Sequence, residues 1–258
     1  VDTCGTGGDM SETLNISTAA SLVAASCGVK VAKHGNKSVS SRSGSADMLE
    51  HIGYKFSNEI RELEKQLNEN NFCFMFAQYH HSAMKHVINV RKTLATRTIF
   101  NLLGPLTNPA NAKNQLLGVY DKKWLKTHCE TLKELGSNNV LVVHGYDGLD
   151  EITLTDNTLI CELKNNNIKH YTFDPREIGY EYITLADIKG GDPQYNADCF
   201  LKMINGEHKK FQKIVEINAG AALYLAGIAK NIKEGSIIVA KTIDEGLTKN
   251  FITKIINE

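Results

Sequence analysis

The chain has 258 residues, 42% hydrophobic and 22% charged, a balance that excludes a disordered chain and suits one large domain with or without a small appendage. A formal net charge of zero excludes an overall basic field for nucleic acid or an anionic membrane, yet leaves room for a local cluster of donors around a small anion. The six cysteines form no Cys-x-x-Cys pair, which argues against a zinc ribbon or a thioredoxin-like site and points to reduced thiols in a cytoplasmic protein. The longest small-and-apolar stretch, Ala219 to Ala229, falls well short of the ~20 residues that cross a bilayer. Val1 is not an initiator methionine, so the sequence is expected to begin inside a longer gene product.

In chain order, Val1-Asp2-Thr3-Cys4 reads as the tail of a strand feeding the glycine turn Gly5-Thr6-Gly7-Gly8-Asp9. The apolar spacing of Ile16, Ala19, Ala20, Val23 and Ala24 predicts a helix from about Asn15 to Cys27, with Gly28 at the C-cap. Val29 to Ala32 reads as a short strand ending in Lys33-His34-Gly35-Asn36, and Ser43 to Ile52 as a second helix closed by Gly53. The continuous run Phe72-Cys73-Phe74-Met75-Phe76 predicts a strand buried on both faces.

Helices are expected over Ser82 to Leu94 and Thr98 to Leu103, the second ended by Gly104-Pro105. Strand, helix and strand follow at Leu116 to Tyr120, Trp124 to Leu135 and Val140 to Val143, an alternation that implies an α/β domain with a largely parallel sheet. Ile152 to Thr155, Leu159 to Cys161 and His170 to Phe173 alternate between Asn-rich turns and predict an antiparallel meander. Beyond Asp192-Pro193 the chain reads as helical, with Pro193 at a first helical position.

Two segments carry chemistry. Gly5-Thr6-Gly7-Gly8-Asp9 follows a strand and precedes a helix, so its backbone N–H groups can approach phosphate oxygens while the helix end adds positive dipole. It is neither a Walker A nor a Rossmann pattern, and a three-glycine turn by itself is more often structural; Asn15, Ser17 and Thr18 supply the hydroxyl-rich context. The second segment, Lys33 to Asp47, holds Lys33, Lys37 and Arg42 with several hydroxyls in a strand-to-helix connection. It leaves a neighbouring strand at the same sheet end, where open α/β sheets bind ligands.

Taken together, Asp2 with Gly5-Thr6-Gly7-Gly8-Asp9, Asn15-Ile16-Ser17-Thr18 and Lys33-His34-Gly35-Asn36 resemble the signature of the anthranilate phosphoribosyltransferase family. The likeness continues through His81, Ala83-Met84-Lys85-His86, Val90-Arg91, Arg97 to Leu106 and Asn108-Pro109. It extends to His144-Gly145, Asp147-Gly148-Leu149-Asp150-Glu151 and Gly190-Gly191-Asp192-Pro193 with Asn196-Ala197, spanning nearly the whole chain in order.

The resemblance implies transfer of the 5-phosphoribosyl group from phosphoribosyl pyrophosphate to anthranilate, in tryptophan biosynthesis. The implied fold is α/β, a nucleoside phosphorylase/phosphoribosyltransferase-like large domain with a mostly parallel sheet flanked by helices, plus the remnant of a small α-helical domain. Residues 1–79 and 115–258 would form the donor-binding domain. Residues 80–114 would belong to a helical domain whose other helices precede the glycine turn in family members.

The donor would be held by Gly5, Gly7, Gly8, Asp9, Thr13, Asn15, Ile16, Ser17 and Thr18. Lys33, His34, Gly35, Asn36, Lys37, Ser38, Val39, Ser40, Ser41 and Ser45 would complete the cradle. Anthranilate would meet Gly5, His34, Asn36, His81, Arg91, Gly104 and Pro105, with the Arg91 guanidinium suited to its carboxylate. Ser17, Asp150 and Glu151 would bind Mg²⁺, which takes one or two carboxylates plus phosphate oxygens.

No general base is implied, because an aromatic amine is already nucleophilic. A homodimer is expected of the full-length protein, with no nucleic-acid or membrane partner. The rival readings are a pyrimidine nucleoside phosphorylase, whose second loop differs from Lys33 to Asn36, and a catalytically silent nucleic-acid-binding relative, which the zero net charge and the Asp150-Glu151 pair oppose.

Overall fold

The structure, a computed structural model, describes residues 1–38, 42–81, 93 and 98–257. Six strands form the framework: β1 (Val31–Gly35), β2 (Phe72–Phe76), β3 (Asn114–Gly118), β4 (Asn139–Gly145), β5 (Thr158–Lys164) and β6 (Asn167–Phe173). β1 pairs with β2 in parallel, β3 with β4 in parallel, and β4-β5-β6 run antiparallel.

The first three residues join the two sheets. The Val1 carbonyl accepts from Ala32 N at 3.0 Å on one side. On the other side Asp2 N donates to the Asn114 carbonyl at 3.0 Å, and the Asp2 carbonyl accepts from Leu116 N at 2.9 Å. The expected strand tail is therefore present as a single parallel bridge, Asp2 to Gln115, wedged between β1 and β3.

Helices cover the strands in two layers. Period-two alternation sends Leu116, Leu141, Val143 and Ile160 into the main core. The helices on that side are α1 (Ile16–Ser26), α2 (Ser45–His51), α7 (Pro193–Ile204), α8 (Lys209–Leu225), α9 (Ile232–Asp244) and α10 (Leu247–Asn257). Leu117, Val140, Val142 and Cys161 face the other way, against Leu125, Cys129 and Leu132 of α6 (Trp124–Glu134). In the same manner Phe72, Phe74 and Phe76 enter the main core, while Cys73 and Met75 meet Leu63 of α3 (Ile60–Asn70). Each fully buried Phe contributes roughly 1.5–3 kcal/mol, which explains why an unbroken apolar run makes a strand covered on both sides.

Several expectations are corrected. Ile152 to Thr155 is a turn and not a strand, because Thr153 and Thr155 direct their hydroxyls to the Asp147 carboxylate. The meander reduces to a hairpin added to β4, turned at Asn165 and Asn166 with φ of 49° and 61°. Two left-handed residues in a two-residue loop match the right-handed strand twist. Lys33 and His34 belong to β1 itself and not to the connection after it. The β3 strand begins two residues earlier than the apolar run suggests, at Asn114.

α1 runs close to its expected bounds, with Asn15 at the N-cap, and α7 opens on Pro193 with the Asp192 side chain accepting from Tyr195 N. The helix expected over Ser82 to Leu94 lies outside the described residues. After it, α5 (Ile99–Leu103) leads into a 3-10 turn at Gly104–Leu106. That turn is fastened to the body by Gln115 Nε2, which donates to the Pro105 carbonyl at 2.6 Å. α4 (Ala77–His80) is a single turn that carries the chain out of β2 towards His81.

Candidate active site

The loops that carry the phosphate and acidic part of the expected site leave the carboxyl ends of parallel strands. Residues 4–15 follow the bridging segment, 36–44 follow β1, 118–120 end β3, and 145–151 follow β4. The glycine turn is held from beneath: Thr6 N donates to the Gly118 carbonyl at 2.8 Å, and Thr6 Oγ1 accepts from Tyr120 N at 3.0 Å. Gly7 and Gly8 adopt φ of 61° and 74°, the left-handed region where a side chain is strained.

The acidic pair closes against this turn. Asp150 Oδ2 accepts from Gly7 N at 2.8 Å, and Glu151 Oε1 accepts from Ser17 N at 3.1 Å in the first turn of α1. Gly118 makes this approach possible, since a β-carbon there would overlap the Asp150 backbone. Burial, and then the neighbouring Asp9, push the Asp150 carboxyl up to about 7. Burial and Asp150 raise Glu151 well above the usual carboxylate range, and burial raises Asp9. Lys33 is the cation that pulls Asp150 and Glu151 back.

Lys33 is itself buried, 1% exposed, and Nζ donates to the Thr3 carbonyl at 2.8 Å and to Thr3 Oγ1 at 3.2 Å. It therefore supplies positive charge from below the glycine turn, without reaching its outer surface. Beside it Asp2, fully buried, accepts from His34 N at 3.1 Å and from Asn108 Nδ2 at 2.7 Å, while Asn108 also donates to the Ala32 carbonyl. Burial raises the Asp2 carboxyl, and Lys33 and Asn108 oppose that shift.

The second cradle wraps the N-terminus of α2. Asp47 Oδ2 accepts from Ser38 N at 2.9 Å and Gly44 N at 2.8 Å, and the Asn36 carbonyl accepts from Ala46 N. Asn36 Oδ1 accepts from its neighbour Lys37 N at 2.8 Å and from Gln78 Nε2 at 3.3 Å. Ser45 is the first residue of α2, one step after Gly44. Lys37 pairs with Glu50 on the surface at 2.7 Å, a pair of small energetic weight.

A histidine pair marks the adjoining wall. His34 Nε2 and His81 Nε2 are 3.0 Å apart, one necessarily donating and the other accepting, and their rings meet edge to face. Burial, then His81, depress the His34 imidazole to about 4. The nearby Gly104 backbone counters this in part.

Of the expected residues, Gly5, Gly7, Gly8, Asp9, Asn15, Ser17, Asp150 and Glu151 are brought together around the first turn. Thr13 forms a bridge with Lys189 at its edge. Ile16 packs in the main core at 1% exposure, and Thr18 is buried with an Oγ1 that meets no hydrogen-bond partner among the described residues. Val39, Ser40, Ser41 and Arg91 lie outside the described residues. Asn196, whose amide reaches Asn15 at 2.8 Å, and the supporting Asp2 and Asn108 stand in the family motifs without a role assigned to them, and Gly118 stands outside those motifs. Asn196 did lie within a quoted motif, Gly190 to Ala197, but nothing local to it signals a partner 181 residues away.

Among the described residues no three His, Cys, Asp or Glu side chains converge as a ready-made metal site. Asp150 and Glu151 nonetheless stand side by side at the glycine turn, tied to Gly7 N and Ser17 N, with carboxyls that burial raises. Such a set fits a Mg²⁺ ion that draws its remaining ligands from phosphate oxygens.

A sheet whose strand ends carry two N–H-rich turns and an acidic pair suits a phosphate-bearing ligand. In agreement, the family model described as "Glycosyl transferase family, a/b domain" matches residues 1–249. The anthranilate phosphoribosyltransferase of Clostridium beijerinckii is 50% identical over 244 residues, covering 95% of this chain and 72% of the relative. The solved anthranilate phosphoribosyltransferase of Thermus thermophilus superposes with a TM-score of 0.92 at 40% identity, covering 99% of this chain and 76% of that one. The Saccharomyces cerevisiae enzyme, solved in complex with PRPP and Mg, gives 0.89 at 29% identity, with 99% and 72% coverage. The chain belongs to the anthranilate phosphoribosyltransferase family.

Proposed function

We propose that the protein transfers the 5-phosphoribosyl group from phosphoribosyl pyrophosphate to anthranilate, giving N-(5-phosphoribosyl)anthranilate and pyrophosphate in tryptophan biosynthesis. The observation that carries this reading is the tie between the acidic pair and the phosphate-type turn, Asp150 to Gly7 N and Glu151 to Ser17 N. Two separate N–H-rich loops at one sheet edge suit a ligand with phosphate at both ends.

The bond that forms joins the anthranilate nitrogen to the ribose anomeric carbon; the bond that breaks joins that carbon to pyrophosphate, and the amine releases a proton. Backbone N–H groups of the glycine turn, with Asn15 and Ser17, would hold the departing pyrophosphate, where negative charge grows. The loop from Asn36 to Ser41, with Ser45, would fix the other end of the donor and so orient the anomeric carbon. His34, kept neutral by burial, together with His81, Asn36 and Gly104-Pro105, would wall the aromatic acceptor, and Arg91 would face its carboxylate. Asp150, Glu151 and Ser17 would hold Mg²⁺, which when bound neutralises phosphate charge.

In this reading residues 1–79 and 115–258 form the donor domain, and 80–114 belong to a helical unit. Exposed Ile99 and Leu103, at 58% and 42%, support a homodimer or a further helical layer over that segment. The free cysteines support a cytoplasmic setting, and no helix of the described residues is long and apolar enough to cross a membrane.

The test follows anthranilate fluorescence with and without phosphoribosyl pyrophosphate and Mg²⁺. Loss of signal only when both are present is expected. Unchanged fluorescence under saturating donor and Mg²⁺ would overturn the reading.

A further inference from the structure

Two backbone groups of fixed polarity fix the orientation of two side-chain amides in series. Gly191 N can only donate, so the Asn196 atom it meets at 2.8 Å is Oδ1. The other end of that amide is then Nδ2, which donates to Asn15 Oδ1 at 2.8 Å. The Ser43 carbonyl can only accept, so the Asn15 atom facing it at 3.2 Å is Nδ2. Ser43 Oγ donates to the same Asn15 Oδ1 at 3.1 Å and closes the arrangement. Asn15 thus has its oxygen occupied twice from inside the protein, and its Nδ2 keeps one further N–H beyond the Ser43 bond.

We infer that Asn196 is a positioning residue that holds the Asn15 amide with its donor side presented to the phosphate oxygens of the donor substrate. The inference rests on the function proposed above. Asn196 is 2% exposed, on the first turn of α7, so it acts through Asn15 and not by touching the ligand. The segment that brings it there is itself anchored to the stretch between the glycine turn and α1: Leu14 N donates to the Ile188 carbonyl, and Gly190 N donates to the Glu12 carbonyl. An amide turned the other way would aim an oxygen at phosphate, replacing an attraction by a repulsion.

Asn196→Asp tests this, since the carboxylate still accepts from Gly191 N but offers no proton to Asn15 Oδ1. Turnover of phosphoribosyl pyrophosphate and anthranilate is measured for Asn196→Asp, Asn15→Ala and the double variant, with donor binding followed by calorimetry in the absence of anthranilate. Asn196→Asp is expected to raise KM for the donor roughly tenfold or more, as for loss of a hydrogen bond to a charged oxygen. KM for anthranilate should change less than about twofold, and the substitution should add little in the Asn15→Ala background, the non-additivity expected of coupled residues. Equal effects in both backgrounds, an unchanged donor KM, or a parallel rise in both KM values would overturn the inference while leaving the function intact. A wild-type protein that binds no donor would overturn both.

Discussion

Gly118 and Asp150 pack backbone against backbone, with no space between them for a β-carbon. The end of β3 therefore sets how deeply the acidic pair sits behind the glycine turn, because Asp150 Oδ2 reaches Gly7 N from that position.

Gly118→Ala is expected to push residues 149–151 away from the turn. Overpacking of this kind costs about 1–3 kcal/mol, and the Gly7 and Ser17 ties would lengthen with it. Thermal denaturation and turnover are read together; a variant with wild-type activity and melting temperature would remove Gly118 from the account.

Asp150→Asn separates function from stability. The Mg²⁺ concentration for half-maximal rate should rise on the order of 10²-fold, as for loss of an important metal-site interaction, and a chelator should abolish wild-type turnover. Without metal the variant should melt higher than wild type at pH 8. The folded Asp150 carboxyl is raised to about 7, so its contribution to stability is present at low pH and is lost as pH rises through that value. The melting advantage should therefore vanish towards pH 4, and an advantage independent of pH would contradict the cause given.

His34 works in the opposite sense. The unfolded imidazole takes up a proton near 6.5, the folded one only at about 4. Stability is complete above the first value and falls as pH drops between the two, by up to about 3 kcal/mol from one group. Melting curves from pH 8 to 4 should fall more steeply for wild type than for His34→Asn. Parallel curves would sink the assignment.

Arg91→Ala should raise KM for anthranilate roughly tenfold or more, the worth of a charge-assisted contact, and leave KM for the donor nearly unchanged. An unaltered anthranilate KM would rule out the carboxylate role proposed from the family resemblance.

How much of this was legible in the sequence depends on range. α1, β2 and the glycine turn are written in local periodicity and composition, and they stand near their expected bounds. α3 gave no comparable signal, because a helix with little more than Leu63 and Leu67 on its apolar side reads as solvated chain. Lys33 and His34 look like loop residues, since charge and polarity argue against a buried strand; Asp2 and Thr3, from the neighbouring bridge, supply the partners that permit it. Ile152 to Thr155 alternates like a strand, but the Asp147 carboxylate collects its hydroxyls into a turn. The Asn196 role has no local trace at all.

The bridging segment at Val1 to Thr3 also bears on the order of folding. Residue 2 pairs with residue 115, Gly7 with Asp150, Ser17 with Glu151, and Asn15 with Asn196, so the site consists of contacts between distant parts of the chain. Contacts of such high sequence separation close slowly, after their loop-closure entropy has been met. During synthesis Gly7 would be made 143 residues before its partner Asp150, and Asn15 181 residues before Asn196. Substrate binding should consequently be among the last properties acquired on refolding, later than the recovery of helix and strand.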